Sequence, residues 1–358
     1  MKKIIFALAL MSMLAAHACA LGEIGFAEIA RENVNMRETP GGKRIMQLDA
    51  PQSVFVFEER HKDEALWCHV NTIRGKACVD GWIRGDMLRF VSDEFTDVVS
   101  VQAGYHYVTG IRSDGTVAIM GDDMPHMPCV ETVRGWKDVR QVSSWICSVF
   151  AMDAQGKLLT VGNFDNMYMD KMAARYTNRV PILLDEENRV LLSTWGDMEA
   201  IRLYWPQLLE GTRYKKVLGS ENWARVALTD DGYVQCLEGY EAHQDSFFHG
   251  PYTDIDFFWN IIYALRADGR VDAATDRACA ASRVGDWESV IQISAGEDHA
   301  LGLKADGTVY YAGDDARHAQ QVAAWKGVKQ VAAGEGYSIA LMEDGSVVMA
   351  GEYRKYIR

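Results

Sequence analysis

Residues 299–315 read HALGLKADGTVYYAGDD, two short apolar runs joined across Ala305, Asp306 and Gly307. Residues 111–123, IRSDGTVAIMGDD, have the same shape. Seven such phrases align, with Gly115, Gly156, Asn188, Gly232, Gly269, Gly307 and Gly345 at the glycine position, 41, 32, 44, 37, 38 and 38 residues apart. A period near 38 over seven copies predicts a solenoid or a propeller.

Turn chemistry separates the two. A three-residue loop, a type I turn closed by a residue in the left-handed region, suits the aligned glycine of each phrase. It sets Leu303 against Val309 and Leu301 against Tyr311, and elsewhere Ile111 against Val117, Met152 against Leu158, Leu184 against Val190, Leu228 against Val234, Leu265 against Val271 and Leu341 against Val347. All these pairs are apolar on one face, whereas a two-residue loop puts Lys304 and Arg112 opposite valines, so the longer loop is expected. Asn188 stands in for glycine once, and asparagine tolerates that conformation.

A second apolar run precedes most hairpins: FTDVVSVQAG, WKDVRQVSSW, YKKVLGSENW, YTDIDFFW, WESVIQISAG and WKGVKQVAAG. Each is read as an aromatic residue, two residues, then Val or Ile opening a strand. Three or four short strands in each of seven repeats describe a seven-bladed β-propeller. DWESVIQISAGEDHALGLKADGTVYYAGDD, residues 286–315, resembles the regulator of chromosome condensation repeat family. The resemblance spans about residues 93–358, is strongest in the first and last two copies, and implies the propeller fold. It does not carry over the nuclear exchange-factor activity of the family's eukaryotic namesake.

Residues 24–91 lack the 38-residue phrase. ENVNMRETPGGKRIMQL, LWCHV and DGWIRGDML, with landmarks Asn35, Arg37, Pro40, Trp67, Val70, Gly81 and Trp82, resemble the bacterial SH3-like domain. Such modules bind cell-wall peptide or other short ligands, or act as spacers, so Trp67 and Trp82 either contact a ligand or fill the core. The fold expected is therefore all-β: a small SH3-like β-barrel over 21–92, then a propeller over 93–358. The stretch DMLRFVS suits either the last strand of the barrel or a closing strand of the propeller.

Lys2 and Lys3, an apolar run from Ile4 to Ala16, and Ala18-Cys19-Ala20 predict a signal peptide over residues 1–20. The apolar run is too short to span a bilayer comfortably, so no integral membrane segment is expected after cleavage. Loss of both lysines takes the formal charge from −13 to −15, which disfavours nucleic acid as a partner. In an exported chain disulfides are permitted. Cys68 and Cys78 flank a hairpin placed around Ile73, compatible with either a cross-strand disulfide or two unlinked thiols.

H-E-x-x-H, C-x-x-C, G-x-S-x-G and phosphate-loop motifs are missing from the sequence. His299 aligns with Tyr107 and Tyr337, which marks it as a packed core group rather than a base or metal ligand. Aspartates beside the repeated glycines follow from turn geometry, so neither a metal nor a cofactor is expected. The turns at the end opposite the Asp-Gly tips carry Tyr105-His106, Trp145, Asn178-Arg179, Asn222-Trp223, Phe258-Trp259, Glu297-Asp298 and Glu335. Gathered on one face they form an aromatic arc with an acidic flank, suited to a protein or cell-wall ligand, or else they fill blade junctions. The family resemblance adds a mode, since its secreted bacterial members include an inhibitor of β-lactamase that grips its target with one loop face. The expectation is a monomeric, secreted or cell-surface recognition protein without catalytic residues; a structural spacer and an enzyme with a site in the propeller channel are the alternatives.

Overall fold

The computed structural model describes residues 25–74, 77–104, 107–121, 129–145, 148–155, 158–162, 180–181, 183–184, 190–192, 214–219, 225–238, 248–258, 261–275 and 279–351. The expected signal peptide, Gly156 and Asn188 lie outside them. Seven strands form the first sheet: β1 (Gly25–Ile29), β2 (Val34–Arg37), β3 (Arg44–Leu48), β4 (Ser53–Lys62), β5 (Ala65–Arg74), β6 (Ala77–Arg84) and β7 (Leu88–Phe90). Their order is β3-β2-β6-β5-β4-β1-β7. The Leu88–Phe90 segment therefore belongs to this sheet, paired with β1 through Ala27 and Phe90. A short helix α1 (Val91–Glu94) leads into the repeats.

Seven smaller sheets follow among the described residues. The first holds β8 (Val98–Ala103), β9 (Tyr107–Arg112) and β10 (Val117–Gly121), and the second β11 (Val139–Trp145), β12 (Ser148–Asp153) and β13 (Leu158–Gly162). In the third repeat β14 (Val180–Pro181) joins the fourth sheet, leaving β15 (Leu183–Leu184) with β16 (Val190–Leu192). The fourth continues with β17 (Tyr214–Gly219), β18 (Arg225–Thr229) and β19 (Val234–Glu238); the fifth is β20 (Tyr252–Phe258), β21 (Ile261–Arg266) and β22 (Val271–Thr275). The sixth is β23 (Val290–Ala295), β24 (His299–Lys304) and β25 (Val309–Gly313), and the seventh β26 (Val328–Ala333), β27 (Tyr337–Met342) and β28 (Val347–Gly351). Helices α2 (Cys129–Arg134) and α3 (Ala316–Ala323) link sheets one to two and six to seven.

The hairpin register is the one the three-residue loop requires. Ile111 faces Val117, Met152 faces Leu158, Leu184 faces Val190, Leu228 faces Val234, Leu265 faces Val271, Leu303 faces Val309 and Leu341 faces Val347. Glycine at the tip serves two ends. Gly307 has φ +75°, and its carbonyl accepts from the N–H of Val328 in the next sheet at 3.0 Å. A Cβ there would lie 3.1 Å from the Gly327 Cα. The tips at Gly115, Gly232 and Gly269 accept in the same way from Val139, Tyr252 and Val290 at 2.8, 2.7 and 2.9 Å.

That equivalence corrects the alignment of two copies. Tyr252 pairs with Arg266 as Val290 pairs with Lys304, and Tyr214 pairs with Thr229. These tyrosines thus open the strands themselves, three residues later in phase than the Trp positions to which the sequence pattern assigned them. The Tyr252 ring is buried and its hydroxyl donates to Asp272 at 2.6 Å.

Side chains fasten sheet to sheet. Gln292 bonds both the N–H and the carbonyl of Val331 at 3.0 Å. Gln330 does the same to Val101 of the first sheet, at 2.9 and 3.0 Å. The series therefore turns back on itself, the last sheet meeting the first through the contact that joins six to seven. The Tyr337 hydroxyl adds a bond to the Gly104 carbonyl at 2.8 Å.

The seven-stranded amino-terminal sheet docks over that joint. Phe26 and Phe55 share one core with Val101, Val108, Tyr337, Ile339 and Met349, and Phe26 meets the Tyr337 ring edge-on at 5.3 Å. Gly25 is pressed so closely on Met349 that a Cβ would fall 2.5 Å from its Sδ. Beside this core Glu28 and Glu94, 3% and 8% exposed, are held by three arginines. Arg134 reaches both, at 3.0 and 3.3 Å; Arg112 reaches Glu94 at 3.2 Å and Arg89 contacts both carboxylates. Burial alone would lower the Arg134 pKa, but Glu28 and Glu94 outweigh it and hold the guanidinium above its ordinary value.

The disulfide is excluded by register. Cys68 lies opposite Ile83 and Cys78 opposite Ile73, so the two stand five rows apart on the ladder, roughly 16 Å at strand spacing, against the ~7 Å limit for bridging. The hairpin turn falls after Arg74 rather than at Ile73.

Glu28→Gln removes one carboxylate charge from a buried cluster and leaves Arg89 and Arg134 short of a partner. Urea unfolding should show a loss of about 3 kcal/mol, and the same midpoint shift whether read from the first sheet or from the repeats, because the cluster joins them.

Candidate functional site

At the tip end, Thr308 donates its backbone N–H and its hydroxyl to Asp306, the former at 2.9 Å. Thr116 and Ser346 do the same to Asp114 and Asp344. Side-chain bonds first, then backbone bonds, hold all three carboxyls below the usual aspartate range. These aspartates are turn-forming groups. Among the described residues no three His, Cys, Asp or Glu side chains are grouped to hold a metal ion, and no helix is long and apolar enough to cross a membrane.

At the opposite end, Tyr105, His106, Asn178, Arg179, Asn222, Trp223 and Trp259 lie outside the described residues. Trp145 is the last residue of β11, paired with Ser148. Phe258 and Glu335 are each 7% exposed; Phe258 packs with Ile261, Ile293 and Ala295, so both belong to the interior rather than to the face. Asp298 is exposed, whereas Glu297 is half-buried and its N–H crosses to the Gly334 carbonyl at 3.2 Å. The Asp298 side chain is 61% exposed. In the first sheet Trp67 and Trp82 are 8% and 5% exposed. Trp82 lies parallel to His69 at 4.7 Å and is covered by the Arg60 guanidinium at 4.7 Å.

Behind Asp298 runs a buried polar chain that the sequence reading did not assemble. His299 Nδ1 meets Asp298 Oδ1 at 2.9 Å, and His299 Nε2 meets Ser338 Oγ at 2.9 Å. His318 Nε2 meets the same hydroxyl at 2.8 Å, and the Tyr311 hydroxyl lies 3.4 Å from His318 Nδ1. One assignment of protons satisfies the whole chain: Tyr311 donates to His318, His318 to Ser338, Ser338 to His299, and His299 to Asp298. The order Asp–His–Ser is that of an acyl-transfer triad. Ser338 and His299, however, have no exposed surface, and the serine hydroxyl is already shared between two imidazoles across the sixth and seventh sheets. The chain is a joint. The sequence signal for it was half visible, in His299 at the repeat's Tyr position; Ser338 and His318 are brought there only by the packing of the seventh sheet.

The regulator of chromosome condensation (RCC1) repeat model matches residues 290–318, which run from the start of β23 into α3. No curated protein sequence matches the chain. Among solved structures, it is similar to the CRINKLY WD40 ectodomain of the Arabidopsis thaliana receptor kinase ACR4, at 13% identity over 73% of this chain and 83% of that one, TM-score 0.40. It is also similar to the C-terminal domain of gp131 from bacteriophage phiKZ, at 10% identity over 73% and 94%, TM-score 0.39. A third likeness is to a structure of Kap60 bound to yeast RCC1 (Prp20), at 13% identity over 71% and 70%, TM-score 0.36. Similarities at this level transfer no binding property. The matched repeat is the sixth of the smaller sheets, whose hairpin register and tip glycine are those the sequence pattern requires.

Burial, reinforced by neighbouring His299 and only partly opposed by Asp298, depresses the His318 pKa to about 3. For Asp298 burial works upward, but the His299 bond and the two histidines outweigh it and hold the carboxyl below its ordinary value. Both shifts favour the fold at neutral pH. A histidine that resists protonation when folded contributes its full stability above the unfolded pKa of about 6.5 and loses it as pH falls toward the folded value. Unfolding free energy should therefore decline between pH 6.5 and 4 by up to about 1.4 kcal/mol per pH unit from this group. His318→Gln, which keeps a donor for Ser338, should flatten that part of the urea-midpoint profile.

Proposed function

We propose that the chain is a non-catalytic, extracytoplasmic recognition protein, in which a seven-bladed propeller of RCC1-type repeats binds a protein or cell-wall ligand through turns at the end opposite the Asp-Gly tips. One observation carries this reading: Ser338, His299 and His318 are buried in a joint between sheets, while Asp298, which ends that chain of bonds at the turn end, keeps its side chain 61% exposed. Fixing the sheets to each other by backbone and buried polar contacts leaves the turns free to carry ligand-specific side chains on a rigid base. Trp145, Trp223 and Trp259 are assigned by sequence to that face, together with Asp298. Trp67 and Trp82 are covered within the first sheet, so the SH3-like module assists as a fastening rather than as the main contact.

The test is capture from cell-surface and secreted fractions with the mature protein and with a Trp145→Ala, Trp223→Ala, Trp259→Ala variant whose circular dichroism matches the parent. A partner held by the parent and lost by the variant is expected. Equal capture by both moves the site away from this face, and capture by neither favours a spacer. N-terminal sequencing of the exported protein should begin at Leu21.

A further inference from the structure

The glutamine clamp that joins sheet six to seven and seven to one is not repeated from one to two, although its receptor is. In register, Gln292 lies opposite Leu303 and Gln330 opposite Leu341, whereas the residue opposite Ile111 in the first of the smaller sheets is Ser100. Serine has no carboxamide, so sheet two receives no such clamp. Val142 of β11 nevertheless pairs with Ala151 as Val331 pairs with Ala340 and Val101 with Gly110. In an antiparallel ladder that phase turns a residue's N–H and carbonyl away from the neighbouring strand. The bonds from Gln292 to Val331 and from Gln330 to Val101 use groups presented in this way. Among the described residues, no side chain bonds the N–H or the carbonyl of Val142.

The joint does not close up to make good the loss. At the tip end the Val139 N–H donates to the Gly115 carbonyl at 2.8 Å, against 3.0 Å for Val328 to Gly307 between sheets six and seven. At the turn end a Cβ on Gly104 would fall 3.0 Å from the Ser144 carbonyl oxygen, much as one on Gly296 would fall 2.7 Å from that of Gly334. Both ends are thus set as they are where a glutamine fills the middle, and the space between them lacks its carboxamide. Two further observations mark the wall as incomplete. Gln102, on the same face as Ser100 and nearer the turn end, is exposed, whereas the equivalent Ser294 and Ala332 are 6% and 5% exposed. Opposite Gln102 stands Thr109, wholly buried and with no partner for its hydroxyl. Sheets six and seven place Leu301 and Ile339 there, so the unmet hydroxyl belongs to this joint, one side-chain row, about 7 Å, along the strand from the gap.

We infer that the gap between Ser100 and Val142 is a binding site for a primary carboxamide, the side chain of an asparagine or glutamine of a partner polypeptide. The group must offer an acceptor to the Val142 N–H and a donor to its carbonyl along one edge. A primary carboxamide does so, as Gln292 and Gln330 do for the two equivalent valines. A carboxylate lacks the donor, and a trans peptide group carries its N–H and carbonyl on opposite sides. The exposed Gln102 lies between the gap and the turn end, so the site is approached from the side of the face proposed above without depending on it.

The experiment is a nuclear magnetic resonance titration of the full chain, isotopically labelled at valine, with acetylglutamine methylamide, read from the amide signals of Val142, Val101 and Val331. Acetylglutamate methylamide and the acetylglutamine compound dimethylated on its side-chain nitrogen serve as controls, with free glutamine as a further ligand. A saturable shift of Val142 by the blocked glutamine and by neither control is expected, with Val101 and Val331 unmoved because their receptors are filled. Ser100→Gln should supply the clamp from within, slow hydrogen exchange at Val142 and weaken binding about tenfold, roughly the worth of two hydrogen bonds. Ser100→Ala should bind as the parent does. Should Ser100→Gln cost stability, Ser100→Met, which fills the gap without the amide, must still weaken binding about tenfold. The Trp145/Trp223/Trp259 variant should bind the compound as the parent does, which separates failure of this site from failure of the turn face. The inference is overturned if Val142 does not shift, if either control shifts it equally, if free glutamine binds in preference to the blocked form, or if Ser100→Gln leaves affinity unchanged.

Discussion

A side-chain amide lets one sheet treat the next as part of its own ladder. Gln292 and Gln330 each satisfy both backbone groups of a residue in the following first strand, Val331 and Val101 respectively. An edge strand with unpaired N–H and C=O groups is open to unwanted pairing, and a buried unpaired group costs about 1 to 3 kcal/mol. The amide removes both problems at the inner edge. Because Gln330 reaches the first sheet by the same geometry that Gln292 uses for the seventh, the end of the repeat series becomes a neighbour of its beginning. The bonds to the tip-glycine carbonyls and the Asp298–Ser338 joint depend on sheets held in that order.

The amino-terminal seven-stranded sheet strengthens the one joint that chain continuity does not supply. Phe26 and Phe55 fill the space between sheets one and seven, and Glu28 ties β1 to the helix before the second sheet through Arg134. The amino-terminal sheet thus reads as a clamp across the closure. Its two tryptophans are buried apart from that joint, Trp82 against His69 and beneath Arg60 of the same sheet.

The hairpins were legible from sequence because their determinants are local: the turn needs a left-handed residue at one place, and period-two alternation then fixes every pair from Ile111–Val117 to Leu341–Val347. The phase of the opening strands was legible only where Trp or Phe precedes Val by three residues. At Tyr252 an aromatic side chain occupies the valine's own position, and spacing alone cannot distinguish the two. The V-x-Q pattern at Gln292 and Gln330 was in plain view, but its partners are supplied by another sheet. The Cys68–Cys78 pairing failed because a hairpin turn placed two residues too early changes which positions face each other. For the candidate face, exposure of Asp298 and burial of Phe258 and Glu335 depend on how adjacent sheets meet, which no single repeat encodes.

The central claim is that the seventh sheet holds the first as the sixth holds the seventh. Residue-resolved hydrogen exchange of the intact chain tests it at the two equivalent backbone amides, Val101 and Val331. Protection of both to within about an order of magnitude, with Gln330→Ala exposing Val101 and sparing Val331, is the result the account predicts. Exchange of Val101 at the rate of an open strand edge while Val331 remains protected would contradict it.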